Sequence, residues 1–288
     1  MPMTKQSIIL RKLNTDAPKT LFHYTDTKGL CGILDSGKIW TTKIQYLNDK
    51  SELSLALKYL NKEIDDQLSG KDKMRSDQEL VDMKEVIETL ASQKTNVSVA
   101  SFSSQGDQLS QWRGYCNIGT GYSLGFDSQR LLTKLIENKN EYYLAECEYQ
   151  EENHRLMAKE LVDSSVSVVN ILQHPNYGKP PFYDWTFVQS VLFLAPMIKS
   201  EKFKEEQEWR LISSPLSLKY ENAKFRSGNY SLIPYWEFNI GIMDALTSIV
   251  IGPTPEPELS KQALLGLLYQ KGINFTHVEN SEIPYGQI

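Results

Sequence analysis

Strand-like and helix-like segments alternate irregularly along the chain. The segments predicted as strands are Leu21–Thr25, Ile39–Thr42, Val97–Ser103, Gly121–Phe126, Tyr142–Tyr149, Glu208–Ser213, Leu232–Asn239, Leu246–Ile251 and Asn274–Val278. No glycine-rich loop of the form GxGxxG, or GxxxxGK followed by Ser or Thr, is present, which argues against a Rossmann fold and a P-loop fold. The sequence therefore predicts one α+β domain over residues 21–288, after a polar lead-in at 1–20.

Helical periodicity predicts two helical insertions in this domain, at about 51–94 and 151–199. The residues expected to cap helices are Asp26, Ser76, Asp107 and Asp127. Gly37 is expected to end the first helix, because glycine adopts the left-handed conformation at low cost. Pro196 is expected to end or bend the last helix of the second insertion.

Composition limits the classes of function. Apolar residues make up 40% of the chain and charged residues 23%, which is ordinary for a globular protein. The net charge of −5 gives no overall attraction to nucleic acid or to anionic membranes. The cysteines Cys31, Cys116 and Cys147 are odd in number and widely spaced, so neither a disulfide framework nor a zinc site is expected. Because the N-terminus has no apolar signal core, we expect a cytoplasmic protein. The wide spacing of the cysteines indicates that it needs no metal.

A run of charged residues from Lys202 changes abruptly into strand alternation at Trp209. This pattern predicts a loop that leads into a strand, with Glu206 and Glu208 on the same side and roughly 6–7 Å apart along the chain. Two carboxylates directed at one place are costly unless positive charge develops there, as it does on a sugar during bond cleavage. The simpler interpretation is a solvated charged turn before a strand.

Two other polar groups lie on predicted strands. His23, Tyr24 and Thr25 belong to the first strand, where a neutral imidazole can bond to ligand hydroxyls or can instead be a satisfied core histidine. Ser101 and Ser103 share one face of a later strand.

Trp112 and Tyr115 lie three residues apart, so on a helical turn they would lie side by side. Together they could form a stacking wall for a flat ring, or they could both belong to the core. Lys199, Lys202 and Lys204 could hold phosphate oxygens or form a solvated basic face.

Short motifs along residues 21–286 resemble a bacterial family known as domain-of-unknown-function family 2971. The motifs that carry the resemblance are FHYT, GLCGILDSGKIW, LND..E, VASFS...D.LSQWRGY, GYSLGFD, KFKEEQEWR, IPYWEF, IVIGP and IPYG. The family name implies no activity.

The order of histidine, Ser-x-Ser and Glu-x-Glu is also similar to ADP-ribosyltransferases, including the DarT-like enzymes that modify nucleic acid. That resemblance implies a split β-sheet core, NAD as the molecule consumed, and a setting in bacterial toxicity or phage defence. It also implies an unknown acceptor, which could be a protein, a nucleic acid or only water (NAD glycohydrolysis), and a possible inhibitory or defence-system partner. Phe102 departs from the usual middle Thr of the serine motif, and Arg210 follows the acidic pair closely.

Carried onto this sequence, the resemblance assigns a role to each polar group. Glu208 would be the catalytic carboxylate and Glu206 would position the acceptor, with His23 on the ribose. The residues that would line the NAD pocket are His23, Tyr24, Thr25, Ser101, Ser103, Trp112, Tyr115 and Arg210. Either Trp112 or Tyr115 would stack on nicotinamide.

Two other functions fit the same sequence. A non-enzymatic module that senses a nucleotide or oligonucleotide would use Asn48, Asp49, Arg113 and Arg226 for recognition. A metal-dependent nuclease would use Asp49, Glu52, Asp107 and Glu208 as ligands of Mg²⁺.

Overall fold

The computed structural model describes residues 7–12, 17–47, 52–92, 97–116, 119–137, 141–164, 187–215, 220–228, 230–273 and 276–284. The predicted turn at Asn48 and Asp49, the helix start at Ser51 and the proline-rich loop around His174 lie outside these ranges.

The described strands form one ten-stranded, mostly antiparallel sheet. The strands are β1 (Thr20–Asp26), β2 (Lys38–Lys43), β3 (Ser98–Ser103), β4 (Gly121–Asp127), β5 (Tyr142–Glu146), β6 (Glu208–Ser213), β7 (Lys224–Ser227), β8 (Leu232–Asn239), β9 (Leu246–Ile251) and β10 (His277–Asn280). Their order is β10-β9-β4-β1-β3-β2-β8-β7, and β6 and then β5 are added on a second side of β3. Only the β9–β10 pair is parallel among these strands.

Helices cover both faces of this sheet. They are α1 (Ile8–Arg11), α2 (Thr27–Ser36), α3 (Glu52–Leu68), α4 (Asp77–Ser92), α5 (Leu109–Tyr115), α6 (Ser128–Glu137), α7 (Glu151–Ser164), α8 (Phe187–Leu194), α9 (Ile242–Ala245) and α10 (Pro257–Gln270). None of the helices in the described ranges is long and apolar enough to cross a membrane.

The sheet divides at β3, which contacts three other strands. Along one edge β3 pairs with β6 from Val99 to Ser103. Its other edge pairs with β2 only at Ser98 and Val99, and with β1 only at Ser103. Strands β1 and β2 therefore separate from each other on either side of Ser101, and the sheet opens there.

Two hydrophobic cores lie on the two faces of the sheet. The first core joins α3, α4, α7 and α8 to one face, with Leu60 and Ile64 fully buried. The second joins α2, α6 and α10 to the other face, with Leu124 and Phe126 fully buried. Alternation along β6 places Ile212 in the first core, while Trp209 and Leu211 lie in the second, as the sequence predicts.

Most predicted segments have the predicted type, and the chain is a mixed α/β protein with a mixed open sheet. Asp26 accepts from Gly29 N–H at the start of α2, and Gly37 ends this helix with a φ of 67°. Ser76 and Glu79 form the predicted capping box. Pro196 lies in a 3-10 helix, Ala195–Met197, that follows α8.

Four details differ from the sequence expectations. Asp107 does not cap α5, because its carboxylate accepts from the Trp112 indole and from Ser281. The strand predicted to reach Tyr149 ends at Glu146. Strand β7 was not expected at all. Within the predicted lead-in, α1 bonds through Ile8 N–H to Glu160 of α7 at 2.9 Å.

Candidate functional site

A cavity of about 780 Å³ occupies the opening between β1 and β2. Helix α2 and the edge of β3 also line it, together with β6, β7, α5 and the 3-10 helix Glu201–Glu206. Its volume lies within the range of small-molecule sites. The residues of the predicted site that line it are His23, Tyr24, Thr25, Ser101, Tyr115, Glu206, Glu208 and Arg210.

His23 occupies the opening at the edge of β3. Its Nδ1 lies 2.9 Å from the carbonyl oxygen of Ser101, the residue between the two short pairings of β3. Since a carbonyl oxygen only accepts, Nδ1 carries the proton and Nε2 of the neutral ring is an acceptor. Burial lowers the pKa of His23 below its usual value, although the bond to Ser101 opposes this effect. The ring is therefore neutral at pH 7 and can accept a bond from a ligand hydroxyl.

Glu208 is a deeply buried carboxylate of the cavity wall, with its side chain only 3% exposed. Oε1 accepts from Arg210 Nε at 2.7 Å, and Oε2 accepts from Lys199 Nζ at 2.5 Å and from Arg210 at 3.0 Å. Burial acts to raise the pKa of Glu208, but Arg210 and Lys199 outweigh it and lower the pKa to about 2. Glu208 is therefore ionised across the physiological pH range.

Arg210 connects this carboxylate to the helical layer. Its two terminal nitrogens bond to the two oxygens of Glu52 at 2.6 and 2.7 Å, and one of them also donates to the carbonyl of Pro196 at 2.9 Å. Burial raises the pKa of Glu52 even beside Arg210. The paired geometry fixes the start of α3 to β6.

Glu206 is the more open carboxylate, with 16% of its side chain exposed. Its Oε2 accepts from Lys199 at 2.5 Å and, over a longer distance of 3.3 Å, from the hydroxyl of Tyr115. Burial raises the pKa of Tyr115, and Glu208 and Glu206 raise it further, so the phenol keeps its proton. Both of these bonds are to Oε2. No residue in the described ranges forms a hydrogen bond with Glu206 Oε1, so this oxygen is available to a ligand.

Local backbone geometry brings the two carboxylates together. Gln207, between them, has a φ of 42°, in the left-handed region, which turns the 3-10 helix sharply into β6. Ser103 Oγ donates to the Glu206 carbonyl at 2.8 Å, and Gln108 Nε2 donates to the Glu205 carbonyl at 2.5 Å. These bonds fix the 3-10 helix against β3 and α5.

Ser103 and Trp112 are predicted site residues that do not line the cavity. The hydroxyl of Ser103 is used in the bond to Glu206, and the residue is 1% exposed. Trp112 is buried against Tyr24, with ring centroids 4.7 Å apart, and against Gly121 and Gly252, where there is no room for a Cβ. Of the two aromatics considered for stacking, only Tyr115 reaches the cavity.

A second group of side chains lines the cavity where β2 and β7 form its wall. Trp40 is 42% exposed and packs on Tyr235 with ring centroids 4.4 Å apart. Arg226 donates to Thr42 Oγ1 at 3.3 Å. Lys28 of α2 also borders this cavity.

Of the residues that the alternative functions would use, Glu52, Glu208 and Arg226 line the cavity. Asn48 and Asp49 lie outside the described residues, and Arg113 is exposed and does not line the cavity. Glu52 and Glu208 are both held by Arg210, while Asp107 bonds to Trp112 and Ser281. Within the described ranges, no three His, Cys, Asp or Glu side chains are grouped so that they could hold a metal ion.

Sequence analysis did not anticipate the roles of Lys199 and Glu52. The sequence predicts Lys199 as a phosphate contact or as part of a solvated basic face, but it is buried and shared by two carboxylates. Lys199 lies at the end of the apolar segment that begins at residue 187. A lysine in such a segment is rarely buried unless it is paired, so this position is the signal that could have indicated a buried ion pair. The partner of Arg210 gives no such signal, because Glu52 lies 158 residues away.

The comparisons give a family and no relative of known function. A family model described as a protein of unknown function (DUF2971) matches residues 111–211, which confirms the predicted family over that segment. The segment includes Tyr115, Lys199, both carboxylates of the acidic pair and Arg210. No curated protein and no solved structure matches the chain.

Proposed function

We propose that the protein cleaves NAD and transfers ADP-ribose to a macromolecule or to water. The DUF2971 family model that matches residues 111–211 is described without an activity, so the proposal is argued from the cavity. NAD is the substrate, and the acceptor is a protein, a nucleic acid or water. The proposal keeps the predicted cytoplasmic location, where NAD is available, and a role in bacterial toxicity or defence.

One observation supports this proposal above all others. His23, Ser101, Tyr115, Glu206 and Glu208 come from four separate parts of the chain and line one cavity where the sheet divides. The division of the sheet beside a histidine on β1 agrees with the ADP-ribosyltransferase type of core that the resemblance implies. A solvated charged turn would not require Glu208 to be buried and to line the same cavity as His23.

The proposed reaction breaks the bond between the nicotinamide nitrogen and ribose C1′. Nicotinamide leaves as a neutral molecule with the bonding electrons, and positive charge develops on the sugar. The acceptor oxygen or nitrogen then bonds to C1′ and loses a proton, so water as acceptor gives ADP-ribose, nicotinamide and one proton. A fixed, ionised carboxylate stabilises the developing charge, and such a preorganised group is typically worth about 3–4 kcal/mol of barrier.

The side chains of the cavity divide this work. Glu208 supplies fixed negative charge at neutral pH, and Glu206 has an oxygen available to the acceptor. The Nε2 atom of His23 accepts from a ribose hydroxyl, and the ring of Tyr115 is the stacking surface for nicotinamide. Ser101 holds the imidazole orientation through its carbonyl.

The test is release of nicotinamide from NAD by the purified chain, followed by chromatography. Glu206→Gln and Glu208→Gln are each expected to lower the rate at least about a hundredfold. Glu205→Gln is the matched control, because Glu205 is exposed in the same 3-10 helix and does not line the cavity. Circular dichroism verifies that each variant is folded. Release by folded Glu206→Gln and Glu208→Gln variants at the wild-type rate would contradict the proposal.

A second candidate, a nucleotide-sensing module without chemistry, is favoured by one observation. Both oxygens of Glu208 are occupied by Arg210 and Lys199, so this carboxylate is balanced by fixed cations before any ligand arrives. A site of this kind can recognise a nucleotide without cleaving it. Calorimetry that detects NAD binding, together with no nicotinamide release over hours, is the result expected for this function.

A further inference from the structure

Part of the cavity wall carries neither carboxylate of the acidic pair. It is formed by Trp40, Thr42 and Arg226. Strand β8 lies between β2 and β7, and Tyr235 of β8 pairs with both Thr42 and Lys224. Because side chains two residues apart on a strand share a face, Trp40 and Arg226 lie on the same face of the sheet as Thr42. The carboxylates of the acidic pair come from β6 and the preceding 3-10 helix. The cavity therefore has an aromatic and cationic wall in addition to its acidic one.

Arg226 is a cation with unused hydrogen-bonding capacity. Its Nε is buried and has no hydrogen-bond partner among the described residues. Among the described residues it donates to Thr42 Oγ1 at 3.3 Å, and no carboxylate of the described ranges pairs with it. Lys224, two residues away on the same strand, is paired with Glu237 at 2.7 Å. A buried donor without a partner is costly, so a ligand with acceptor oxygens would be stabilised there.

Trp40 adds an aromatic surface beside this cation. Trp40 lines the cavity and is 42% exposed, which is a large exposure for a tryptophan. The guanidinium carbon of Arg226 lies 5.9 Å from the ring centroid, at the outer limit of a cation–π contact. An exposed indole beside a guanidinium suits a flat nucleobase joined to a phosphate, because aromatic rings stack on bases and arginine binds phosphate oxygens.

We propose that Trp40 and Arg226 form a subsite for a nucleoside 5′-phosphate, which in the proposed reaction is the adenylate half of NAD. The base stacks against Trp40, and the phosphates accept from Arg226, with Lys28 as a further cation on the border of the cavity. This inference rests on the proposed function for the identity of the dinucleotide, but the subsite itself is independent of any bond cleavage. The nicotinamide half then lies toward His23, Tyr115 and the acidic pair.

The experiment measures binding of AMP and ADP-ribose to the full chain by calorimetry and by quenching of tryptophan fluorescence. Both ligands lack nicotinamide, so neither can be cleaved by the proposed reaction. Arg226→Gln is expected to weaken binding of both at least about tenfold, the loss typical of a charge-assisted bond. Trp40→Ala is expected to weaken them to a similar extent. Lys224→Gln is the matched control and is expected to leave binding unchanged, because Lys224 is exposed and pairs with Glu237.

The outcomes separate this inference from the proposed function. Binding of AMP that depends on Arg226 and Trp40, without any release of nicotinamide from NAD, supports the subsite while the proposed enzyme fails. Nicotinamide release with a KM for NAD that Arg226→Gln and Trp40→Ala leave unchanged overturns the subsite while the enzyme stands. No binding of AMP or ADP-ribose at millimolar concentration also overturns it. Tight binding of a single-stranded oligonucleotide, with AMP unable to compete, overturns it in favour of a nucleic-acid surface.

Discussion

Lys199 allows two carboxylates to lie side by side inside the protein. Its Nζ is 2.5 Å from an oxygen of Glu206 and 2.5 Å from an oxygen of Glu208. Burial acts to lower the pKa of Lys199, but Glu208 outweighs it and raises the pKa above its ordinary value. The lysine is therefore charged at neutral pH, and it offsets the repulsion between the two carboxylates.

Replacing Lys199 by methionine is expected to lower the free energy of unfolding by about 3–5 kcal/mol, because it leaves buried Glu208 with an incomplete set of partners. Nicotinamide release is expected to fall as well, since Glu206 loses its anchor. Denaturant titration measures the first effect. Lys202→Met is the control, because Lys202 is exposed in the neighbouring 3-10 helix. Equal stability of the two variants would show that Lys199 does not hold the acidic pair.

The depressed pKa of Glu208 makes stability depend on pH. The pKa of Glu208 is about 2 in the folded protein and has its ordinary value of 4.5 in the unfolded chain, so the unfolded chain takes up the proton first as the pH falls. Its contribution, about 3 kcal/mol, is complete above the unfolded pKa and is lost progressively as the pH falls from about 5 toward 2. Denaturant titrations of the wild type and of Glu208→Gln at pH 7, 5, 4 and 3 test this. The stability difference between the two proteins is expected to shrink with decreasing pH.

The neutral state of His23 gives a prediction in solution. Because burial lowers its pKa below 6.5, the titration midpoint of its imidazole C2 proton, followed by NMR, is expected below that value. His23→Gln assigns the resonance by removing it. A midpoint above 6.5 would mean that Nε2 keeps its proton up to a higher pH than the burial of the ring allows, which would contradict the prediction.

Individual site residues were predictable from local patterns, but their partners were not. His23 was predicted as a polar residue of the first strand and Ser101 as one of two serines on one face of a later strand, and the His23 ring donates to the backbone carbonyl of Ser101 at the cavity. Glu206 and Glu208 were chosen from their spacing and do converge on one cation. The identity of that cation is decided by tertiary packing, which a single sequence does not contain.

At the scale of elements, α3 acts as scaffold for the site. Its first residue, Glu52, is buried and bonds to Arg210 of β6, and the next turns place Ala56, Leu60 and Ile64 in the first core. A lid that opens and closes would need a face free of such contacts. The buried ion pair with Arg210 therefore makes α3 part of the scaffold.

Glu52→Ala is therefore expected to destabilise the protein by about 3–5 kcal/mol, because it leaves the buried guanidinium of Arg210 with one carboxylate fewer. Thermal unfolding followed by circular dichroism measures the change. Lys58→Ala is the matched control, since Lys58 is an exposed residue of the same helix. A loss of less than about 1 kcal/mol in Glu52→Ala would argue that α3 is only loosely attached.

The failure to predict strand β7 from the sequence has a physical explanation. Strand β7 is four residues long, lies at the edge of the sheet and has no fully buried residue. Its side chains therefore show none of the apolar alternation on which strand prediction depends. By contrast, α2 was predicted with both of its ends, because Asp26 and Gly37 satisfy local requirements of the backbone at those positions.

At the scale of the whole molecule, one sheet separates two cores and presents the cavity where it divides. Leu60 lies in the core under the helical layer and Leu124 in the core on the opposite face. Both side chains are 0% exposed. Because both cores use the same strands, we expect them to unfold together.

Leu60→Ala and Leu124→Ala are each expected to lower the free energy of unfolding by about 2–5 kcal/mol. In both variants, far-ultraviolet circular dichroism and tryptophan fluorescence are expected to report the same single transition. Leu259→Ala, an exposed position of α10, is the control. Two separate transitions in either core variant would show that the chain contains two independently unfolding units.

The three partners of β3 also determine when the cavity can exist. Strand β6, which covers one edge of β3, lies more than a hundred residues later in the sequence, and the wall formed by β7 is made later still. Contacts of such long sequence separation form slowly, after the entropy of closing long loops has been overcome. During synthesis on the ribosome, the acidic pair and the histidine therefore remain apart until most of the protein has been translated, and an activity that consumes a cellular metabolite would begin only with the nearly finished polypeptide.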